Sequence, residues 1–390
     1  MSSGREAALL WLGGFALRAP LLAVPPLLPV IVPALRLSHT EVGLLTGSPV
    51  ILFAVAAVAG SLLMARLGVR RALAVSLALT AAGGALRGVG GGAAMLFAMT
   101  VVMGAGIALA QPTMIALAAG ERRLGPARAT GIYSNGLVVG EVVAVAATLP
   151  IAARLGGWGW GLAVWSLPVA VAAVAVLRPS AGDAPAARRG AWWPDWRDPT
   201  TWRVGLLLGC TSAIYQVSNA FIPTYLTATG RVALVAPALT SLNLIQVAGS
   251  LLITAMPALV GRAGAMVAAA AVSLAATVAL VALPAPVAVL AAAGLLGCAA
   301  STIFIQGLAL PPLLVPREEV SRMSAGMFTI SYACGFAGLL VGGQLGDRLS
   351  APDAPLLPVA LACVAAMVLA AGIRRPEADA RCDVAAARHA

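Results

Sequence analysis

Apolar residues run along this chain in long stretches, each ended by a short cluster of Arg, Gly, Pro or acidic residues. A helix needs roughly 20 residues to cross a hydrocarbon core of about 30 Å, so runs of this length read as membrane spans rather than as the core helices of a soluble fold. Twelve spans are predicted, at 9–35, 42–64, 70–87, 93–119, 130–152, 158–177, 203–227, 237–259, 264–283, 286–315, 323–345 and 354–373. They leave little of the 390 residues outside the bilayer. Composition agrees: 61% of residues are hydrophobic and 10% charged, against roughly 25% charged in soluble domains. The fold class is an all-α membrane protein.

All 25 basic residues are arginine. An even number of spans puts both termini on one side, and that side collects 19 of the arginines. Arg36, Arg87, Arg154, Arg231 and Arg348 fall in the opposite loops, and Arg18 is the remainder. Because basic loops stay cytoplasmic, both termini are assigned to the cytoplasm of a bacterial inner (cytoplasmic) membrane protein. The net charge of +11 is then a topology signal, and a nucleic-acid partner is not expected; the partner is the lipid bilayer. Arg5 heads an apolar stretch far longer than a signal peptide's, so the first span is expected to remain as an anchor.

One long polar break, from Arg178 to Trp202, divides six spans from six. The predicted organisation is a six-helix bundle at 1–177, a cytoplasmic linker at 178–202, a second six-helix bundle at 203–375 and a cytoplasmic tail at 376–390. Trp192, Trp193, Trp196 and Trp202 suit an interfacial segment resting on headgroups. Sliding the halves by 195 residues lays Gln111 on Gln306, Gly131 on Gly326, Gly140 on Gly335 and Ser134 on Thr329. A faint internal duplication, and hence two pseudo-symmetric bundles, follows.

Arg18 sits in the middle of the first span, which has no acid of its own and carries Pro20, Pro25, Pro26, Pro29 and Pro33. A guanidinium at that depth costs at least about 3 kcal/mol on insertion scales, so a negative partner is implied. The broken backbone hydrogen bonds need repair by neighbours or by water in a cavity. The isolated intramembrane acid at matching depth is Glu141, in the fifth span. Two readings stand: a structural ion pair, or an acid that holds Arg18 in the empty site and takes a proton when an anion arrives.

Polar residues elsewhere recur at helical spacing, as the walls of a cavity would. Asn243, Gln246, Ser250 and Thr254 form one stripe, Tyr215 and Asn219 another with Gln216 beside them. Thr100 with Gln111, Ser134 with Glu141 and Thr148, and Thr302 with Gln306 make three more. The alternative for each is helix-to-helix glue. The substrate-binding set is therefore Arg18, Gln111, Tyr215, Asn219, Asn243, Gln246 and Gln306, with Glu141 coupling protons. Arg66, Arg70 and Arg71, around Gly68 after the second span, suit a gate latch that clamps carbonyls or acids, or plain positive-inside charge. The eleventh span closes on the outer side with Gly343-Gln-Leu-Gly346-Asp347-Arg348.

Catalysis is not expected. The two histidines, His39 and His389, lie in a loop and the tail, so no dyad assembles in the membrane. No phosphate-binding loop for ATP is present. Neither metal-type Cys/His spacing nor a disulfide framework is seen among the five cysteines, and no cofactor is called for.

The spans, central linker and repeat resemble the major facilitator superfamily from about residue 9 to 375. The Arg66-x-Gly68-x-Arg70-Arg71 loop is similar to its signature between the second and third spans, with Ala65 where that pattern has aspartate. Within it, Leu17-Arg18-Ala-Pro20, Pro26-Leu-Leu-Pro29, Leu37-Ser38, Gly43-Leu-Leu, Ser48-Pro49-Val50 and Gly104-Ala-Gly106-Ile-Ala108 resemble the cyanate permease and 2-nitroimidazole transporter branch. Glu141 departs from that branch's apolar fifth span. The Gly-Pro pair of antiporting drug exporters is absent between Gly131 and Gly140. The resemblance implies the major facilitator fold and a monomeric secondary transporter working by alternating access; Arg18 points to a small anion or small polar organic solute as cargo, and the second reading of Glu141 adds proton symport. A drug or metabolite exporter and a non-transporting membrane sensor are the alternatives.

Overall fold

The structure is a computed structural model that describes residues 3–89, 92–121, 124–177, 194, 196–256, 259–316 and 319–373. Most of the linker and all of the 376–390 tail, with Trp192, Trp193 and His389, lie outside the described residues. The α-helices are α1 (Ser3–Leu22), α2 (Leu28–Leu35), α3 (His39–Leu67), α4 (Val69–Leu86), α5 (Ala93–Gly120), α6 (Pro126–Arg154), α7 (Trp158–Ala163), α8 (Ser166–Val176) and α9 (Pro199–Ala228). They continue as α10 (Val235–Ala255), α11 (Ala263–Ala282), α12 (Pro286–Leu308), α13 (Pro311–Leu314), α14 (Val320–Arg348) and α15 (Leu357–Ala371). No strand occurs among the described residues. Eleven of the expected spans are long and apolar enough to cross a membrane, and the one expected at 42–64 is the 29-residue helix α3.

Local chemistry sets the boundaries. Pro25 and Pro26 have no N–H to give the carbonyls of Leu21 and Leu22, so α1 stops at Leu22 and a 3-10 turn at Pro25–Leu27 leads into α2. Ser38 and Glu41 close a capping box on α3. Gly68, at φ 77°, makes the turn from α3 to α4 that a side chain would strain. Asp198 caps α9, accepting from the Thr200 and Thr201 amides at 3.0 and 2.9 Å and from the Thr201 hydroxyl at 2.7 Å. Partial burial pushes the Asp198 carboxyl up, but those hydrogen bonds outweigh it and hold it below the ordinary carboxylate range.

Packing repeats itself between the halves. In the first, α1 packs on α6 and α8, α3 on α5, and α4 on α5 and α8. In the second, α9 packs on α14 and α15, α10 on α12, and α11 on α12 and α15. Every contact of the first set has its counterpart in the second. The seam joins α3 to α14 and α6 to α10, which are the same contact once the duplication exchanges the halves. Gly140 approaches Phe15 on α1, and its repeat mate Gly335 approaches Ser212 on α9. Outward faces stay apolar: Leu167, Val171 and Val174 on α8 and Leu361, Val364 and Val368 on α15 are exposed, as lipid-facing stripes should be.

The buried apolar residues divide by depth. One core mixes both halves, with Leu27, Ile31, Leu37 and Leu45 packed with Phe221, Leu242, Leu339 and Leu356. The other two are almost private: Leu10, Leu73, Met114 and Val169 in the first half, and Leu207, Met266, Ile303 and Ala370 in the second. The halves are fused at the end away from the termini and separate at the end near them. Arg18 lies at that transition.

Candidate functional site

Glycines bring the charged pair together. On α6, Gly136 and Gly140 are one turn apart and face α1, where Gly14 returns the contact; a Cβ at any of the three would run into the opposing backbone. This close approach sets Arg18, one turn beyond Gly14, against Glu141, next to Gly140. Arg18 Nε lies 3.3 Å from Glu141 Oε1. The other oxygen, Oε2, accepts from Gln246 Nε2 of α10 at 2.6 Å. Gln246 is aimed by its own neighbours, since the Ser301 hydroxyl of α12 donates to its carbonyl at 2.8 Å and Gly249 lets α12 approach.

The pair is not sealed in. Arg18 retains 23% of its side-chain exposure and Glu141 9%, and both line a cavity of about 120 Å³ with Tyr215, Gln216, Gln246, Ser301, Phe304 and Tyr332. A single water needs about 10–15 Å³ of such space, so the cavity admits several waters or a small solute. Its chemistry is a guanidinium, a carboxylate, two amides and hydroxyls set among aromatic faces. Tyr332 stacks on Phe328 at 6.1 Å between ring centroids and tilts against Phe53 at 5.2 Å, which fixes one wall. Within this lining Arg18 is the cation, and Glu141 is the acid that faces it.

The candidate residues separate into distinct roles. Arg18, Glu141, Tyr215 and Gln246 meet in the cavity. Asn243 does not reach it: fully buried, it accepts from Tyr215 Oη at 2.6 Å and donates to Asn219 Oδ1 at 3.0 Å, a polar clasp between α9 and α10. Asn219 faces a smaller neighbouring pocket. Gln306 is fully buried, its amide without a hydrogen-bond partner, and with Thr302 it is not among the residues lining the cavity. Gly297 fits against the carbonyl of Leu242, and α12 is turned so that Ser301 and Phe304 face inward instead. Gln111, half-buried on α5, is likewise absent from the cavity wall. Thr148 serves as glue, taking a 2.8 Å bond from Trp165 Nε1.

The arginine loop is distributed differently from its sequence pattern. Arg66 and Arg71 are exposed, whereas Arg70 reaches back to α1 and pairs with Glu6 at 3.0 Å, with Nη1 on the Val176 carbonyl at 3.4 Å. The acid missing at Ala65 is thus supplied by Glu6, 3% exposed, and these two partners both belong to the first six spans. Arg87 departs from its expected loop placement: it is 1% exposed.

Tyr332, Ser301 and Phe304 were not among the candidates. Tyr332 carried a usable signal as one of four tyrosines in the chain, a phenol deep in an apolar span; Ser301 and Phe304 had none beyond lying one and two residues from Thr302.

The profile of the Major Facilitator Superfamily matches residues 10–242. A 2-nitroimidazole transporter of Escherichia coli (strain K12) is 30% identical over 224 residues, 55% of this chain and 55% of that protein. The cyanate transport protein CynX of the same organism is 29% identical over 246 residues, 62% of this chain and 64% of its own length. The chain thus spans between half and two thirds of these relatives. Among solved structures, a bacterial homologue of the lysosomal transporter Spinster superposes with a TM-score of 0.73 at 15% identity, covering 96% of this chain and 97% of that one. The xylose transporter XylE from E. coli does so with 0.71 at 14%, covering 95% and 96%. These likenesses establish the fold.

Proposed function

Since this chain belongs to the Major Facilitator Superfamily, we propose that it is a secondary active transporter that moves a small anion or small flat polar solute, with Arg18 as the binding cation and Glu141 as the proton-coupled partner. One observation carries the reading: a partly exposed guanidinium faces a cavity, and the acid that neutralises it is also held by Gln246 from the other half. An incoming anion competes with Glu141 for Arg18, and protonation of Glu141 removes the charge that holds Arg18 and weakens the bond from Gln246. Loosening the Gln246 bond weakens the α6–α10 seam, so binding favours movement of the halves. The bundles at 1–177 and 203–375 rock about the linker, in line with a core shared at one end and private at the other. With both termini in the cytoplasm, the cavity opens inward.

The names of the relatives, a cyanate transport protein and a 2-nitroimidazole transporter, suit a cavity for small flat cargo. Uptake into proteoliposomes of a panel of small anions, with and without a proton gradient, tests the reading. Saturable uptake of a cyanate-sized anion that Arg18→Gln abolishes supports it; no uptake of any member rejects it.

A second reading, export of a neutral polar solute, rests on Glu141 already balancing Arg18 in the cavity. It requires that Arg18→Gln leave flux of the neutral cargo intact. A membrane sensor would bind solute in the same assay without moving it.

A further inference from the structure

Beside the Arg18 cavity, toward the shared core, lies a second pocket of about 20 Å³ whose polar lining is Arg87, Thr46, Thr100, Gln216 and Asn219. Gln216 of α9 lines both spaces. Arg87 caps the end of α4 and donates through Nη2 to the carbonyl of Pro20 at 2.6 Å. That carbonyl is one of the unpaired acceptors where the prolines interrupt the first span. Nε and Nη1 of Arg87 are buried without a hydrogen-bond partner among the described residues, and so is the Thr100 hydroxyl in the same pocket. The ion pairs among the described residues, Arg18–Glu141 and Arg70–Glu6, do not include Arg87.

A guanidinium has five N–H donors and a permanent charge. One carbonyl satisfies one donor and none of the charge, and burying a charge without a counter-charge is among the costliest arrangements a protein interior can hold. Water would satisfy the N–H groups but leave the charge uncompensated. The volume is one to two times the roughly 10–15 Å³ that one water needs, which admits an ion of one to three heavy atoms and excludes larger carboxylates.

We propose that the Arg87 pocket binds a small monovalent anion, halide- or cyanate-sized, held by Nε and Nη1 of Arg87 and by the hydroxyl of Thr100. The site is separate from the Arg18 cavity and does not depend on what binds there. Two sources share this chemistry: a resident chloride that neutralises Arg87, or a transported anion pausing beyond Gln216 on its way to the closed end.

The purified protein in nanodiscs, freed of chloride by exchange into gluconate, is titrated with bromide while its thermal unfolding is followed, and crystals are grown in bromide for anomalous diffraction. The expected result is a saturable rise in the unfolding midpoint and an anomalous peak against Arg87. Arg18→Gln should keep both, Arg87→Gln should lose both, and Thr100→Val, which leaves the guanidinium and the local shape intact, should weaken apparent affinity about tenfold. Absence of a bromide response in the wild type, or the same affinity in Thr100→Val as in the wild type, overturns the site even if Arg87→Gln fails to fold. Loss of uptake in Arg18→Gln with the bromide response intact keeps this outcome distinct from that of the transport reading. Efflux of labelled chloride from loaded proteoliposomes identifies a passing ion, and its retention on the protein a resident one.

Discussion

Glu141 and Gln246 meet at 2.6 Å across the seam between α6 and α10, while the other oxygen of Glu141 lies 3.3 Å from Arg18 Nε. A single carboxylate therefore joins the cavity's cation to the contact between the halves. Whatever takes Arg18 from Glu141, or protonates Glu141, acts on that contact.

Arg18→Gln is expected to abolish anion uptake and, because Glu141 keeps its Gln246 bond and faces the cavity, to cost only about 1–3 kcal/mol of stability. Adding Glu141→Gln should restore most of the stability and none of the uptake. Thermal unfolding and proteoliposome flux on the two single variants and the double variant check this. Recovery of uptake in the double variant would reduce the pair to a strut.

Glu141→Gln alone should retain exchange of substrate across the membrane, because the amide keeps the shape and one hydrogen bond. Its response to an imposed proton gradient should vanish. Counterflow and gradient-driven uptake measured across a pH series separate the two, and a pH profile identical to the wild type removes Glu141 from coupling.

Asp347, at the end of α14, accepts from the His39 and Thr40 amides at 2.7 and 2.9 Å and so ties the first turn of α3 to the other half. A carboxylate at a helix N-terminus contributes about 1 kcal/mol. Asp347→Asn should therefore shift the balance toward opening at this end by roughly fivefold. In a Thr46→Cys background, a membrane-impermeant thiol reagent should label the cysteine that much faster; an unchanged rate counts against a latch.

Glu6→Gln removes the carboxylate that pairs with the partly buried Arg70 at the terminus side of α1 and α4. Breaking such a pair from one side costs about 3–5 kcal/mol, so the unfolding midpoint should fall clearly. Because Glu6 lies in the same half as Arg70, substrate affinity should stay near the wild-type value. A large affinity change with little loss of stability would make Glu6–Arg70 a gate instead.

Asp198 titrates at the surface end of α9, and its carboxyl is held below its ordinary range by Thr201 and Thr200. A depressed folded-state value stabilises above the unfolded value of about 3.9 and is lost as pH falls through the folded one. The wild type should lose this increment on acidification below about pH 4. Asp198→Ala should remove it at neutral pH, at about 1 kcal/mol, and flatten that acid limb of the midpoint-against-pH curve.

Span length and apolar content are local properties, and every expected span has its helix; the stops at Pro25–Pro26, Ser38 and Gly68 are equally local. The depth match of Arg18 and Glu141 was legible because a charge in lipid demands a partner and few acids are available. Arg87 was misplaced because loop and span share one alphabet at a helix end, and only packing of α1 and α4 decides whether the side chain turns out or in.

The sequence by itself determined a twelve-span membrane protein with an internal repeat and a buried cation near its centre, since bilayer thickness and the cost of buried charge act on each segment alone. The tertiary structure alone decided which faces look inward: that Ser301, Phe304 and Tyr332 meet Arg18 while Gln306 does not, that Glu6 answers Arg70, and that Arg87 is enclosed. In helices apolar on all sides, composition says little about rotation. That angle is set by where one backbone can approach another, at Gly136, Gly140 and Gly297, and each residue along a helix turns by about 100°, so one position separates the cavity wall from the packed interior.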